Sequence, residues 1–311
     1  MIGAGNKVQT PVRIGVDIGG TKIAAGLVAD ANPTTVIEYR RRPTPASNVI
    51  QEVAGVIQEL IDVSPTAVSS IGIGAPGVID PIEGNVVSSG PTVQGWAGTK
   101  IADMLREQFP VPVAVHNDVR VMGLGESIYG AGHDFNNILF VSLGTGVGGA
   151  LVRDGGLVAS PHCTAGELRC LWGRLPDGSA ALLESFASGP GLADSYNAHA
   201  EHPAVDLHEI MARYHAGEEY ARGVIEEHLF ACGVAIGGFI SAIDVDAVVV
   251  GGGVGNIGDA IINPFARGLK EGAIPPLDAV PVIQAQLGTD APIVGAAYLG
   301  KTQDQINKVS I

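Results

Sequence analysis

The chain has 311 residues, 46% of them apolar and 16% charged, which is enough for about two domains and too apolar for a disordered chain. Lys and Arg number 18 against 32 Asp and Glu, and the net charge of −14 argues against nucleic acid or an anionic membrane as a general partner. Cys163, Cys170 and Cys232 include no CxxC pair, so neither a disulfide framework nor a zinc ribbon is legible, and a reducing cytoplasm is the expected compartment.

In chain order, residues 12–17 form a short apolar run that predicts a strand feeding a tight loop. Residues 22–29 and 36–41 predict two more strands around a turn at Asp30-Ala-Asn-Pro33. Ser47 is placed to cap a helix whose Val49, Val53, Val56, Ile57, Leu60 and Ile61 share one face. A strand follows at 70–74. Thr99 is placed to cap a helix carrying Ile101, Met104, Leu105 and Phe109, and a strand at 111–115 ends in His116-Asn117-Asp118. A similar order then restarts: strand 137–142, glycine-rich loop 143–149, strand 149–152, helices that include a long one over 218–243, and strand 246–250. The repeated strand–loop–strand predicts a duplicated α/β unit with a cleft between halves, divided near Asp118 and Gly288. No apolar signal core opens the sequence, and the uncharged stretches 135–152 and 229–243 are interrupted or short, so no membrane span is expected.

Asp17-Ile-Gly-Gly-Thr-Lys22 combines a carboxylate suited to Mg²⁺ with bare backbone that can approach phosphate oxygens. The alternative is a tight turn with no ligand. Leu143-Gly-Thr-Gly-Val-Gly-Gly149 holds four glycines in six positions after an apolar strand, more than a hairpin needs, and predicts a phosphate cradle with Thr145 as an added donor. Gly251, Gly252 and Gly253 begin a run whose Gly253, Gly255 and Gly258 match the dinucleotide spacing. Only about fifty residues remain after it, so a glycine floor under an adenosine is the better reading than an oxidoreductase. No GxxxxGK[ST] is present. Asn117-Asp118 at a strand end offers a proton acceptor beside an orienting amide, although capping the following helix is the commoner role of an isolated Asp, and both can hold at once. Glu167 and Glu184 are candidate acceptors for sugar hydroxyls, or ordinary helix acids. His162, Cys163 and Cys170 form an incomplete metal set with no zinc spacing.

Asp17-Ile-Gly-Gly-Thr-Lys22, His116-Asn-Asp118, Leu143-Gly-Thr-Gly-Val-Gly-Gly149, Ala165-Gly-Glu167 and Leu183-Glu-Ser-Phe-Ala-Ser-Gly189 together resemble the ROK family of repressors and sugar kinases over nearly the whole chain. The resemblance implies two actin-like ATPase (ribonuclease-H-like) α/β domains with an interdomain cleft, 1–117 with 289–311 and 118–288. It implies an ATP- and Mg²⁺-dependent hexose kinase making a 6-phosphate. By resemblance Asp118 is the general base, and Gly77, Asn117, Asp118, Glu167, Cys170 and Glu184 surround the sugar. Asp17, Gly19, Gly20, Thr21, Lys22, Gly144, Thr145, Gly146, Gly251, Gly252 and Gly253 hold ATP, with Mg²⁺ near Asp17 and Asp118. A small-molecule sugar partner and a homodimer or higher homo-oligomer are expected.

The chain departs from the family at Thr92, where many members have Asn before Gly95-Trp96, and in the stretch 169–180. Most members have Gly-His where Arg169 and Cys170 stand, and a zinc-binding cysteine loop where this chain has only residues 171–180. No structural zinc is therefore expected, and the sugar loses an imidazole partner. The sugar itself and the choice between ATP and polyphosphate are left open. A sugar-binding protein with weak or no kinase activity is the alternative. A transcriptional repressor is disfavoured, since only eleven residues precede Val12.

Overall fold

The computed structural model describes residues 10–90 and 93–309. The chain divides into two compact units, residues 1–125 with 289–311, and residues 126–288. The first division falls after Gly125, inside a helix, rather than after Asn117.

In the first unit β1 (Val12–Ile18), β2 (Lys22–Ala29) and β3 (Asn32–Pro43) form an antiparallel meander, followed by α1 (Val49–Val63). Then come β4 (Val68–Ala75), a small hairpin of β5 (Val78–Asp80) and β6 (Asn85–Ser88), α2 (Ile101–Arg106) and β7 (Val113–Asn117). Helix α3 (Asp118–Tyr129) follows β7 directly. The sheet order is β3-β2-β1-β4-β7, with β1, β4 and β7 parallel. The alternation in β1 puts Ile14, Val16 and Ile18 into one core with Val53, Ile57 and Leu60 of α1. Burying each such side chain stabilises the unit by roughly 1.5–3 kcal/mol.

Two caps differ from expectation. Asn48, not Ser47, precedes α1, and its side chain makes no capping bond. Lys100 precedes α2, because Thr99 is engaged elsewhere: its carbonyl accepts the Val86 N–H at 3.0 Å and its N–H reaches Trp96 O at 3.1 Å. Helix α2 stops at Arg106, so Phe109 is buried from the loop beyond.

The second unit repeats the pattern. It runs β8 (Asn137–Leu143), β9 (Val147–Arg153), β10 (Gly156–Leu157), and a hairpin of β11 (Trp172–Arg174) and β12 (Ala180–Leu182). Helices α4 (Leu183–Ala187), α5 (Gly189–Asn197), α6 (Leu207–Ala216) and α7 (Glu219–Ile243) follow. The unit continues through β13 (Ala247–Gly251), α8 (Gly252–Gly255), α9 (Asp259–Gly272) and β14 (Val282–Gln284). Its sheet order is β10-β9-β8-β13-β14, again three antiparallel strands continued by parallel ones. Helix α10 (Ala291–Val309) returns to the first unit and lies on β1 and β4, where bare Cα atoms at Gly15 and Gly72 admit the backbone of Ile293 and Ala296.

The expected loop 143–149 is shorter than its glycine count suggests. Val147, Gly148 and Gly149 belong to β9, and Gly149 pairs with Val141. A Cβ on Gly149 would lie 2.6 Å from Leu168 Cδ1 and 2.7 Å from Gly166 O, so this glycine serves packing. Helix α7, at 25 residues, is long and apolar enough to cross a membrane by length and composition. Half of its most apolar window is buried, and its Gly233 and Gly237 press against Phe265 and Leu269 of α9, which makes it a core helix.

Candidate active site

In the first unit the carboxyl ends of three parallel strands lie side by side. Asp17 of β1 is in register with Gly74 of β4, and Ala75 of β4 with Asn117 of β7. Strand spacing of about 4.8 Å sets the two outer strands about 10 Å apart. Gly74 keeps the space between them open, since a Cβ there would lie 3.2 Å from Asp118 Cα.

Asn117 is the true cap of α3: its Oδ1 accepts the Arg120 N–H at 3.2 Å. Its Nδ2 donates to Gly77 O at 3.1 Å and to Asp118 Oδ1 at 2.8 Å. Asp118 Oδ1 also accepts the Val119 N–H at 2.9 Å. Both of these bonds to the carboxylate fall on Oδ1. Burial, and then the negative charge of Asp17, push the Asp118 carboxyl up to about 7, with Arg120 opposing. Burial pushes Asp17 up to about 6, while the Lys22 ammonium pulls it back.

His116 is buried, and its Nδ1 accepts the Asn117 N–H at 2.8 Å. Burial first, then Arg120, depress its pKa to about 4, so it is a neutral ring that orients the Asn117 backbone. The Gly19–Lys22 loop is closed by Gly19 N–H to Lys22 O at 2.9 Å and held to β3's end by Thr44 Oγ1 donating to Gly19 O at 2.6 Å. Thr21 and Lys22 are exposed at its tip, beside the partly exposed Gly20.

In the second unit the loop Gly144–Gly146 and the turn Gly251–Gly253 sit together. A Cβ on Gly144 would lie 3.7 Å from Gly253 N. Gly252 has φ +82°, and an added Cβ would run into Leu143 O, so this turn requires glycine. Gly189 N–H, at the start of α5, donates to Gly144 O at 2.8 Å. Thr145 is exposed. Glu184 joins this loop directly: its Oε2 accepts the Val147 N–H at 3.1 Å and lies 2.6 Å from where a Gly146 Cβ would stand.

Glu167 follows Gly166, whose φ of +87° sets it against Gly149 O. Leu168 is fully buried, while Glu167 and Arg169 on either side of it point outward. Arg169 Nε lies 3.4 Å from Glu167 Oε1. Cys170 is exposed. Among the described residues, no three or more His, Cys, Asp or Glu side chains gather to hold a metal ion, His162, Cys163 and Cys170 included.

The sequence pattern thus leads to Asp17, Asn117, Asp118 and both second-unit glycine turns. It does not anticipate the clamp of His116 on the Asn117 amide, the buried Arg120 or the pairing of Arg169 with Glu167. Arg120, a charge inside an apolar first turn, is the one of these with a visible signal.

Residues 13–303 match the ROK family, and the chain belongs to it. It is a glucokinase-like sugar kinase of that family. A glucokinase of Halalkalibacterium halodurans is 28% identical, covering 94% of this chain and 95% of the relative. An N-acetyl-D-glucosamine kinase of Escherichia coli is 29% identical, covering 93% and 99%. The structure of a ROK family glucokinase from Streptomyces griseus, in complex with glucose and AMPPNP, superposes with a TM-score of 0.80 at 26% identity, covering 94% and 99%. These neighbours share the actin-like ATPase fold.

Proposed function

We propose that this protein transfers the γ-phosphate of ATP to the 6-hydroxyl of a hexose, with Asp118 as general base. The observation that carries this reading is the state of the Asp118 carboxyl. One oxygen is held by Asn117 and Val119, and burial beside Asp17 raises the group's pKa to about 7. A base poised near neutrality both exists as carboxylate and accepts a proton effectively.

Phosphoryl transfer needs positioning, charge stabilisation and one proton acceptor. Asn117, Gly77, Glu167 and Glu184 would bind the sugar. Backbone amides of Gly19–Thr21 and Gly144–Gly146 would bind phosphate oxygens, with Thr145 adding a hydroxyl. Gly251–Gly253 would underlie the adenosine. Burial raises the cost of ionising both Asp17 and Asp118, and the charge of Asp17 adds to it at Asp118; a divalent cation would relieve this, so the pair fits Mg²⁺ completed by phosphate oxygens and water. When bound, Mg²⁺ would neutralise charge developing on the transferred group. Asp118 Oδ2 takes the hydroxyl proton as the oxygen attacks phosphorus. A homodimer or higher homo-oligomer in the cytoplasm belongs to the same reading.

Phosphorus NMR of the product tests it. A hexose 6-phosphate is expected, and 6-deoxyglucose should give none. A phosphate at another position, or sugar binding with no ATP turnover on any hexose, would overturn the proposal.

A further inference from the structure

Residues 89–97 of the first unit wall a cavity of about 530 Å³, an ordinary size for a small-molecule site, roughly 300–1,000 Å³. The segment is an arch fixed at its foot. Val86 N–H bonds to Thr99 O at 3.0 Å and Gly98 N–H to Val86 O at 2.8 Å, and Gly95 and Gly98, at φ +67° and +84°, turn the chain back. Two contacts seat the arch on the Pro76–Gly77 turn. Trp96 Nε1 donates to Pro76 O at 2.9 Å, and a Cβ on Gly77 would lie 2.5 Å from Ser88 O and 3.4 Å from Ser89 Cβ. Gly77 O in turn accepts from Asn117 Nδ2, which also donates to Asp118. The cavity wall therefore adjoins the Asn117–Asp118 pair through Gly77, all within one unit.

Among the described residues no charged side chain lines this cavity, so it suits neither a phosphate nor a metal ion. Val93 and Trp96 supply carbon surface, and Ser89 and Gln94 supply the polar side chains. Neither Ser89 nor Gln94 has a side-chain hydrogen-bond partner among the described residues. A side-chain amide carries an acceptor and a donor a fixed distance apart, which matches two neighbouring hydroxyls, one donating and one accepting. Ser89 is short and half-buried on the Gly77 side, whereas Gln94 is exposed and has the longer reach. Thr92, two residues before it, lies outside the described residues.

We propose that Gln94 is a sugar-binding residue of the first unit, its amide bridging two neighbouring hydroxyls of the hexose whose reacting hydroxyl faces Asp118. This rests on the reading of the site as that of a hexose kinase. It places part of the sugar's recognition on the 89–97 arch rather than on carboxylates alone.

The test measures kcat/KM and calorimetric Kd for glucose and for 2-, 3- and 4-deoxyglucose in wild type, Gln94→Ala and Gln94→Leu. The second variant keeps the bulk of the side chain and removes its hydrogen bonds. Both should raise KM and Kd for glucose about tenfold, the worth of one or two neutral hydrogen bonds, and leave KM for ATP unchanged. At a hydroxyl that Gln94 holds, the deoxy sugar should bind wild type about three- to tenfold more weakly than glucose, and this penalty should vanish in both variants. Penalties at the other positions should be the same in all three proteins. A merely structural role for Gln94 would not single out particular hydroxyls. Variants whose glucose Kd stays within about threefold of wild type, or whose deoxy penalties parallel wild type at every position, overturn the inference. Glucose bound without ADP release would defeat the kinase reading while the Kd profile still judges Gln94, and a chain that binds no glucose defeats both.

Discussion

As the proposed general base Asp118 has to be ionised, yet its surroundings favour the neutral acid. Its raised pKa gives two predictions of definite sign. In the enzyme without ligands, kcat/KM for the sugar should fall as pH drops through about 7, because the proton acceptor is lost. The same shift costs stability at high pH. A carboxyl whose folded pKa lies above its unfolded value stabilises the fold below the unfolded value, and that contribution is lost as pH rises through the folded one. Asp118→Asn should therefore melt above wild type at pH 8, and the gap should close as pH falls from about 7 toward 4, as read by calorimetric scans across that range. A gap that is flat with pH would show that Asp118 is not strained. The position of this residue was legible in the sequence, as an acid after a strand. Its electrostatic state was not, because Asp17 is 101 residues away and meets it only through the register of β1, β4 and β7.

At the scale of elements, the proposed chemistry rests on turns and strand ends. Glu184 braces the Gly144–Gly146 loop through the Val147 amide, and in the proposed function its second oxygen meets the sugar. Glu184→Ala should raise KM for both ATP and sugar, whereas Glu167→Ala should raise only the sugar's. Steady-state kinetics with each substrate varied in turn separates the two. Gly252→Ala should destabilise the second unit by at least about 1–3 kcal/mol, since it combines positive φ with a backbone collision, and urea unfolding measures it. Strand periodicity and the glycine turns made β1, β2, β8, β9 and β13 readable within a residue or two. Glycine count alone could not say which glycines serve a ligand. Gly148 and Gly149 continue the loop in sequence but lie in β9, and only Leu168 and Gly166, some seventeen to nineteen residues on, explain why Gly149 is bare. Caps failed for a similar reason: Thr99 fits a helix start locally, but β6 takes its carbonyl.

At the scale of the molecule, the two sheets repeat one order, and a single buried acid closes the second unit. Glu126, its first residue, is fully buried, and its carboxylate accepts N–H bonds from Ala131 at 2.9 Å and from Gln286 and Leu287 at 3.0 and 2.8 Å. These amides lie just before the unit's last residue, Gly288. Glu126→Ala leaves three part-buried donors without an acceptor and should cost roughly 1–3 kcal/mol, read as a lower urea midpoint. The duplication was visible in the sequence as strand–loop–strand recurring at two places, but nothing local marks Glu126, two of whose partners, Gln286 and Leu287, are 160 and 161 residues away. Hexose phosphorylation by this glucokinase-like chain is proposed to run through Asp118. The most direct measurement is ADP release with Mg²⁺ and a panel of hexoses and 2-acetamido hexoses, in wild type and Asp118→Asn. The prediction is sugar-dependent ADP release in wild type, reduced about 10²–10⁴-fold in Asp118→Asn while the sugar's Kd changes little. A variant that keeps more than a tenth of wild-type kcat would contradict it.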